Sequence, residues 1–226
     1  DKIRLGLSTV MERTDYDALL SSTTYRVGVF ADYAFSPQLR LGLQVNQMLQ
    51  DVEGSGRHTG QDVLARVEWE AFQKLFVNGS FGVQFFHSAQ GMDSILPLGQ
   101  LGLRYEIGPK TSLTFNAYSR SQNSPSLGGQ YFQSNGFVTT LQQQLGTKLN
   151  VGADFGYEHA DYRSYSAGVL SDRQDSLMFV RPWVKYTLHR HLSLELFYQH
   201  TTNSSSGTAA RSFDRDLLGL GLTTSW

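Results

Sequence analysis

The sequence predicts an all-β fold, an antiparallel up-and-down transmembrane β-barrel of about twelve strands. Three observations support this prediction. Apolar and polar residues alternate along runs of about 12 to 15 residues, whereas strands of soluble sheets usually have about 5 to 6. Aromatic residues gather at the ends of these runs, as expected of an interfacial girdle: Phe35, Phe72, Phe76, Tyr105, Tyr186 and Trp226. Short turns alternate along the chain with longer polar connections. This combination is typical of barrels that cross a bilayer.

Twelve alternating runs follow one another along the chain. Five short turns recur at a roughly even spacing: "FSPQL", "FQKLF", "IGPKTS", "LGTKLN" and "LHRHLS". Longer polar segments, such as "DVEGSGRHTG" and "HADYRSYSAGVLSDRQ", are predicted loops. The predicted strands are residues 2–14, 23–35, 38–50, 61–72, 75–88, 96–107, 111–122, 133–145, 148–160, 175–188, 191–202 and 213–226. Because their number is even, both chain ends are predicted to lie at the short-turn end.

The alternation separates two faces in each strand, as the run from Leu192 shows. Leu192, Leu194 and Leu196 share one face, while Glu195 lies on the other. A glutamate in the middle of such a strand fits an aqueous or salt-bridged lumen with the leucines in lipid. Lipid offers no partner to backbone N–H and C=O groups, so the sheet is predicted to close on itself. Pro182, on a lipid-facing position, predicts a β-bulge because proline lacks a ladder donor.

Composition excludes several other classes of protein. The net charge of -1 and the pI near 6.7 predict no attraction to nucleic acid. The chain has no cysteine, which excludes a disulfide scaffold and any thiolate metal site. No apolar run approaches the ~18 residues of a membrane helix. No linker divides the chain, so residues 1–226 are predicted to form one transmembrane domain, with no cofactor and no metal.

The final segment and two turn-plus-strand phrases resemble known barrels. "RSFDRDLLGLGLTTSW" resembles the last strand of Gram-negative outer-membrane β-barrels, in which a terminal aromatic residue, here Trp226, is the signal read by the barrel-insertion machinery. "LHRHLSLELFYQHTTNSSS" and "FSPQLRLGLQVNQ" resemble the β-barrel porin family associated with exopolysaccharide export. This resemblance implies short periplasmic turns, longer extracellular loops and an outer-membrane location. It also implies contact with outer-membrane lipid, lipopolysaccharide and periplasmic export components.

Charged residues of both signs fall on the face predicted to line the lumen. One interpretation is that they contact a hydrated solute, with arginines favouring anionic or hydroxyl-rich ligands. The alternative is that they pair with one another and fill a narrow barrel. The candidate lumen-lining and solute-contacting residues are Arg4, Arg26, Asp32, Arg40, Arg66, Glu68, Glu70, Arg104, Glu106, Asp154, Glu158, Arg181, Lys185 and Glu195.

Three functional hypotheses follow. The first is an outer-membrane channel or porin-like barrel for passage or export of a hydrophilic solute such as a polysaccharide. The second is a membrane anchor or translocator, the barrel portion of a larger secretion or adhesion protein. The third is an outer-membrane lipid hydrolase using His200, with Thr202 and Asp214 on the same lipid-facing side. A threonine is a poor replacement for the serine of a catalytic triad, so we expect no enzyme activity and no catalytic residue.

Overall fold

The fold was analysed in a computed structural model of the 226-residue chain. It describes residues 2–15, 21–54, 56–89, 93–123, 130–164, 172–208 and 210–224. Trp226, the predicted insertion signal, lies outside these residues. Among the described residues, no helix is long and apolar enough to cross a membrane.

Twelve long strands make up the structure, and all twelve predicted strands are confirmed. Each begins and ends within a few residues of its predicted bounds, except at the longer loops described below. The strands are β1 (Ile3–Thr14), β2 (Ser22–Ala34), β3 (Leu39–Val52), β4 (Gly56–Phe72), β5 (Leu75–His87), β6 (Asp93–Gly108), β7 (Thr111–Asn123), β8 (Gln130–Leu145), β9 (Leu149–Ser164), β10 (Gln174–His189), β11 (Leu192–Ser206) and β12 (Phe213–Thr224).

The strands pair in chain order, so the architecture is an antiparallel up-and-down β-barrel. Antiparallel ladders join every consecutive pair from β1–β2 to β11–β12. Among the described residues, no ladder joins β1 to β12. In a bilayer these two edges must pair with each other, because hydrocarbon offers no hydrogen-bonding partner to an open edge.

The five predicted turns all lie at one end of the sheet. They connect β2 to β3, β4 to β5, β6 to β7, β8 to β9 and β10 to β11. Gly146, in the fourth turn, has a φ of 72°, a left-handed conformation that glycine adopts without steric cost. The first described residue, Lys2, lies at the same end, since its carbonyl accepts a hydrogen bond from Ala34 N–H. These are the short periplasmic turns.

The opposite, extracellular end differs from the prediction, because strands continue into segments predicted as loops. Strand β4 begins at Gly56, inside "DVEGSGRHTG", and leaves only residues 53–55 to connect it to β3. Strands β9 and β11 continue to Ser164 and Ser206. The alternation of apolar and polar residues ends where both faces of a strand are in water. Backbone hydrogen bonds between strands do not need this alternation and continue beyond it. The hydropathy pattern therefore marks the membrane-spanning part of each strand rather than its full length.

Two extracellular connections are tied together by Asp172, which precedes β10. Its carboxylate accepts hydrogen bonds from the backbone N–H and the hydroxyl of Thr208, both at 3.1 Å. These two hydrogen bonds hold the pKa of Asp172 below its usual value. Gly207, with a φ of 88°, lies so close to Asp172 that a Cβ atom would meet the aspartate carbonyl oxygen at 2.2 Å. A glycine is therefore required at this contact.

The predicted bulge at Pro182 is wrong. The register of β10 on β11 is the same on both sides of the proline, and Pro182 still pairs with Ala153 of β9. The proline only interrupts the ladder to β11, in which Arg181 and Pro182 have no paired partner. Register shifts occur instead beside three of the short turns, after Glu70, Glu106 and Thr187. The sheet therefore tolerates the missing backbone N–H of Pro182 without the extra residue that defines a β-bulge.

One face of the sheet is apolar and exposed. Leu218 and Leu220 of β12 are 72% and 71% exposed, and large apolar side chains occupy equivalent positions on the other strands. An exposed apolar surface that continues around a whole sheet is unfavourable in water and is the surface expected to face lipid. Phe35, Phe72, Tyr105 and Tyr186 lie on this face near the short turns, as predicted for an interfacial girdle.

Phe76 was predicted to belong to the same girdle, and this prediction is wrong. It stands opposite Glu70 of β4 and Arg104 of β6, and therefore lies on the polar face. Alternation within β5 already places Phe76 on this face, together with Asn78 and Ser80. The prediction rested only on its position beside a turn.

Candidate functional site

The candidate site is the polar face of the sheet, on which the ladders place all fourteen predicted residues. Arg4 of β1 stands opposite Asp32 of β2, for example, and Lys185 of β10 stands opposite Glu195 of β11. Side chains on this face also touch across two intervening strands: Arg4 Nη2 donates to Glu68 Oε1 at 2.5 Å, from β1 to β4. Contacts of that kind form on the concave side of a curved sheet. The polar face is therefore the inner face.

A first charge cluster joins β1, β2, β3 and β4 and consists of Arg4, Asp32, Arg40, Arg66 and Glu68. Asp32 lies at its centre and is buried. Its carboxylate accepts hydrogen bonds from Arg4 Nη2 at 2.6 Å and from Arg66 Nε at 3.1 Å. Glu68 accepts a hydrogen bond from Arg4 and forms looser ion pairs with Arg66 at 3.6 Å and Arg40 at 3.9 Å. The two carboxylates and three guanidinium groups leave the cluster with one excess positive charge.

Gly42 makes the centre of this cluster possible. It lies on β3 between Asp32 and Arg66, opposite both of them in the two ladders. A Cβ atom at this position would come within 2.1 Å of Asp32 Oδ1 and 2.6 Å of the Ala31 carbonyl oxygen. The missing side chain therefore leaves the space through which Arg66 reaches Asp32. A glycine inside a strand commonly marks such a close approach.

A buried polar layer, which was not predicted from the sequence, lies on the extracellular side of the first charge cluster. Asp62 is 2% exposed and accepts hydrogen bonds from Asn46 Nδ2 at 3.1 Å and Gln84 Nε2 at 2.8 Å. Arg26, one of the predicted residues, approaches Asp62 at 3.9 Å. Asp62 and Arg66 are an even number of positions apart along β4 and therefore share a face. The alternation alone could have assigned Asp62 to the inner face.

A second charge cluster joins β9, β10 and β11 and consists of Arg181, Asp154 and Glu195. Arg181 Nη2 donates to Glu195 at 2.5 Å, and Arg181 Nη1 lies 3.6 Å from Asp154. The guanidinium also stacks 4.1 Å from the ring centroid of Phe197. Trp183 Nε1 donates a hydrogen bond to Asp154, the second carboxylate beside Arg181, at 3.3 Å. The Glu195 that interrupts an apolar run in the sequence is therefore one half of an ion pair.

Glu158 of β9 is a further paired carboxylate on this face. It accepts hydrogen bonds from the Tyr118 hydroxyl and from Arg120 Nη2, the latter at 3.3 Å, and both donors lie on β7. Gly136 of the intervening β8 leaves room for this contact, since a Cβ atom there would meet the Tyr118 hydroxyl oxygen at 2.8 Å. Arg120 was not among the predicted residues, although its parity matches that of Tyr118.

The remaining predicted residues are not brought into these clusters. Arg104 and Glu106 pair with each other along β6 at 3.1 Å, near the periplasmic mouth, and both are well exposed. Glu70 and Lys185 form no ion pair with any side chain in the described part of the chain. Exposed charges at this end therefore meet water rather than buried partners.

A cavity of about 590 Å³ lies beside the first charge cluster, on the inner face of β1 to β7. We call it the chamber. Its wall combines charged groups of both signs with uncharged polar and apolar groups, including Arg26, Asp62, Arg66, Ser80, Leu98 and Arg120. A chamber of this size holds many water molecules, because each occupies about 30 Å³ in the liquid. Ion pairs therefore border the chamber without filling it.

A separate polar row on the outer face contains the predicted hydrolase residues. His200 Nδ1 lies 2.8 Å from Asp216 Oδ1, and Thr202 Oγ1 lies 3.4 Å from His200 Nε2. His200, Thr202 and Asp214 share the outer face, as predicted, but the residue that contacts His200 is Asp216, because the ladder places Asp216 directly opposite His200 and Asp214 opposite Thr202. Tyr198 also donates its hydroxyl to Asp216, at 2.6 Å, so the carboxylate is shared between two donors.

No group of three or more histidine, aspartate or glutamate side chains suited to a metal ion occurs among the residues with described positions. The sequence contains no cysteine to supply such a site.

The fold, the apolar outer face and the charged inner face define an outer-membrane β-barrel protein of a Gram-negative bacterium. The family described as "Putative beta-barrel porin 2" matches residues 97–225, more than half of the chain, and the protein belongs to this family. It therefore lies among outer-membrane lipid and lipopolysaccharide.

Solved structures similar to this chain are also outer-membrane barrels. OmpT of Vibrio cholerae has 11% sequence identity and a TM-score of 0.49, with 100% of this chain and 98% of that chain covered. The NanC porin has 6% identity and a TM-score of 0.48, over 92% of this chain and 98% of that chain. The β domain of the Bordetella autotransporter BrkA has 12% identity and a TM-score of 0.38 over the whole of both chains. No curated protein matches the sequence.

Proposed function

We propose that this barrel provides a passage across the outer membrane for a hydrophilic solute, and that residues 1–226 act as one transmembrane domain. The chamber carries the proposal: about 590 Å³ of space lies on the inner face, bordered by charges that are fixed by their partners. Fixed charges around a water-filled space are how channels select their solutes. A sugar chain suits such a wall, since arginine donors and carboxylate acceptors both bind hydroxyl groups. Polysaccharide is accordingly the solute class proposed.

Two partners belong to this proposal. The barrel-insertion machinery would read the last strand, which in the described residues ends in the apolar row Leu218, Leu220 and Leu222. Periplasmic export components would dock at the short-turn end if the solute is an exported polysaccharide.

The proposal is tested by conductance of the purified protein in planar bilayers. We expect discrete conductance steps, because the chamber has room for water between fixed charges. Replacing Arg26, which lines the chamber, with glutamine is expected to lower the permeability ratio of chloride to potassium at least about twofold. Arg13→Gln is the matched control: Arg13 is an exposed arginine at the extracellular end of β1, paired with Asp15, and should leave this ratio unchanged.

A protein that folds and inserts but never conducts would contradict the proposal. The paired charges would then serve to fill the interior, and the barrel would be a membrane anchor or translocator for a larger protein.

The outer polar row favours a second, weaker candidate, a lipid hydrolase. The order Thr202, His200, Asp216 resembles a nucleophile, base and orienting acid. The 3.4 Å contact from Thr202 is long, and a secondary hydroxyl is a hindered nucleophile. We therefore propose that the protein is not an enzyme. Phospholipid turnover that His200→Ala abolishes would contradict this proposal.

A further inference from the structure

A groove of about 570 Å³ crosses the outer face of β3 to β6 near the extracellular end. Two rows of outer-face side chains border it. Its floor is the backbone of Gly60, Phe86 and Ser94, which stand opposite one another between the two rows. We call it the outer groove. The side chains that border it are those of Gln47, Thr59, Gln61, Phe85, His87, Asp93 and Ile95.

The row nearer the bilayer centre changes from polar to apolar along its length. Gln47 of β3 stands opposite Gln61 of β4. Phe85 of β5 stands opposite Gln61 on the next ladder, and Ile95 of β6 stands opposite Phe85. Phe85 and Ile95 are 46% and 67% exposed. A molecule in the outer groove therefore meets two amides at one end and two apolar side chains at the other.

The row nearer the extracellular end is polar throughout. Thr59 of β4 stands opposite His87 of β5, and His87 forms an ion pair with Asp93 of β6 when it is protonated. The outer groove thus has hydrogen-bonding groups on its extracellular side and apolar groups on the side that faces the bilayer. An amphipathic molecule fits this arrangement better than a wholly apolar one.

An arginine without an ion pair lies just beyond the outer groove. Arg57 precedes Thr59 by two residues on the outer face of β4, about 7 Å along the strand toward the extracellular end. It is exposed and forms no ion pair with the described side chains, although Asp51 stands opposite it. Arg163, also on the outer face near the extracellular end, is by contrast paired with Asp161. Arg57 is therefore available to an anionic group of a bound molecule.

The outer groove lies at the outer boundary of the bilayer. Tyr105 belongs to the aromatic girdle at the periplasmic end of β6, and Ile95 is ten residues away along the same strand. At about 3.3 Å per residue and a tilt of about 40°, ten residues cross about 25 Å, the height of the apolar band of an outer-membrane barrel. The outer groove therefore continues the lipid-facing surface up to the headgroups of the outer leaflet.

From this position and this chemistry we infer that the outer groove binds one molecule of lipopolysaccharide through lipid A, its phosphorylated amino-sugar anchor with several acyl chains. Phe85 and Ile95 contact an acyl chain, and the amides of Gln47 and Gln61 bind polar groups of the sugar. Arg57 donates hydrogen bonds to a phosphate. A phospholipid offers a phosphate and acyl chains, but no sugar to the two amides. The inference goes beyond the proposed passage of a solute, because the outer groove lies outside the lumen.

Binding of purified lipid A to the protein in detergent tests this inference, with bound lipid counted by native mass spectrometry. We expect one bound lipid A, with an affinity at least about tenfold higher than that of phosphatidylglycerol, which lacks the sugar. Arg57→Gln should weaken the binding of lipid A at least about fivefold. Arg163→Gln is the matched control: it removes an arginine that is already paired, at the same end of the outer face, and should change the affinity less than about twofold.

Lipid A without its phosphate groups identifies the partner of Arg57. Loss of the phosphates should weaken binding to the unsubstituted protein at least about fivefold, but should cause little further loss in Arg57→Gln, because the arginine and the phosphate act as a pair. Gln61→Leu should weaken the binding of both forms of lipid A by a similar factor, because the amide binds the sugar. The electrophoretic mobility of unheated samples verifies that each variant is folded.

Equal affinities for lipid A and phosphatidylglycerol would overturn the inference, as would equal losses in Arg57→Gln and Arg163→Gln. An equal effect of phosphate removal in the unsubstituted protein and in Arg57→Gln would also overturn it. The binding measurements do not depend on conductance. A barrel that binds lipid A as expected but never conducts would uphold the inference and overturn the proposed pore.

Discussion

Replacing Leu141 with arginine is expected to lower the free energy of unfolding in lipid vesicles by about 2–4 kcal/mol, the cost of an arginine at the lipid-facing middle of a barrel strand. Leu141 lies on β8 between Leu113 of β7 and Ala153 of β9, on the apolar outer face, and is exposed there. Denaturant titration of the protein folded into vesicles measures the change. The effect is large because hydrocarbon cannot hydrate the guanidinium group.

Thr140 supplies the matched control for this experiment. It precedes Leu141 on β8, points to the inner face and stands opposite Asp154 of β9. An arginine at this position meets water and a carboxylate, so Thr140→Arg is expected to cost less than about 1 kcal/mol. If the two substitutions had equal effects, or if Thr140→Arg were the more damaging, the assignment of inner and outer faces would be wrong.

Asp32→Asn is expected to give the second large effect, a loss on the order of 3 kcal/mol, because it removes the charge between two arginines. The Asp32 side chain is 3% exposed, whereas those of Arg66 and Arg4 are 23% and 42% exposed. Without the carboxylate the two guanidinium groups repel each other, and water relieves part of that repulsion. The same denaturant titration in vesicles measures the loss.

The control for Asp32 is the exposed pair of Arg104 and Glu106 near the periplasmic mouth. Exposed ion pairs contribute about 0–1 kcal/mol, so Glu106→Gln should change stability within that range. A second comparison adds Arg66→Gln to Asp32→Asn: the double variant should lose less than the sum of the single variants. Strict additivity would show that the short contact between Asp32 and Arg66 contributes no coupling energy.

The sequence predicted the fold because a barrel strand is a local pattern. Period-two alternation assigns each residue to a face independently of any other strand, and all twelve strands were found this way. Alternation ends at the membrane boundary, however, which is why the extracellular extensions of β4, β9 and β11 were predicted as loops. Phe76 was misassigned because its position at a strand end was used without its place in the alternation, which puts it on the same face as Asn78 and Ser80.

The candidate site could be predicted only as a set of residues on one face. Parity assigned Arg181, Asp154 and Glu195 to the interior, but which charges pair depends on the stagger between strands. The same stagger places Asp216 rather than Asp214 opposite His200. Glycines such as Gly42 determine whether charged side chains two strands apart can touch. Which glycines do so depends on how the strands are paired, and the alternation of residues does not show this pairing.

The central claim, that lipid meets the apolar face and that polar groups occupy the interior, is tested most directly by two native tryptophans. Trp69 of β4 is exposed on the outer face, whereas Trp183 of β10 lies on the inner face and donates to Asp154. Variants that keep only one of them, with phenylalanine at the other tryptophan positions, are folded into vesicles containing brominated phospholipids, and fluorescence quenching is measured. We expect strong quenching of Trp69 and little quenching of Trp183. Equal quenching of both, or stronger quenching of Trp183, would contradict the central claim.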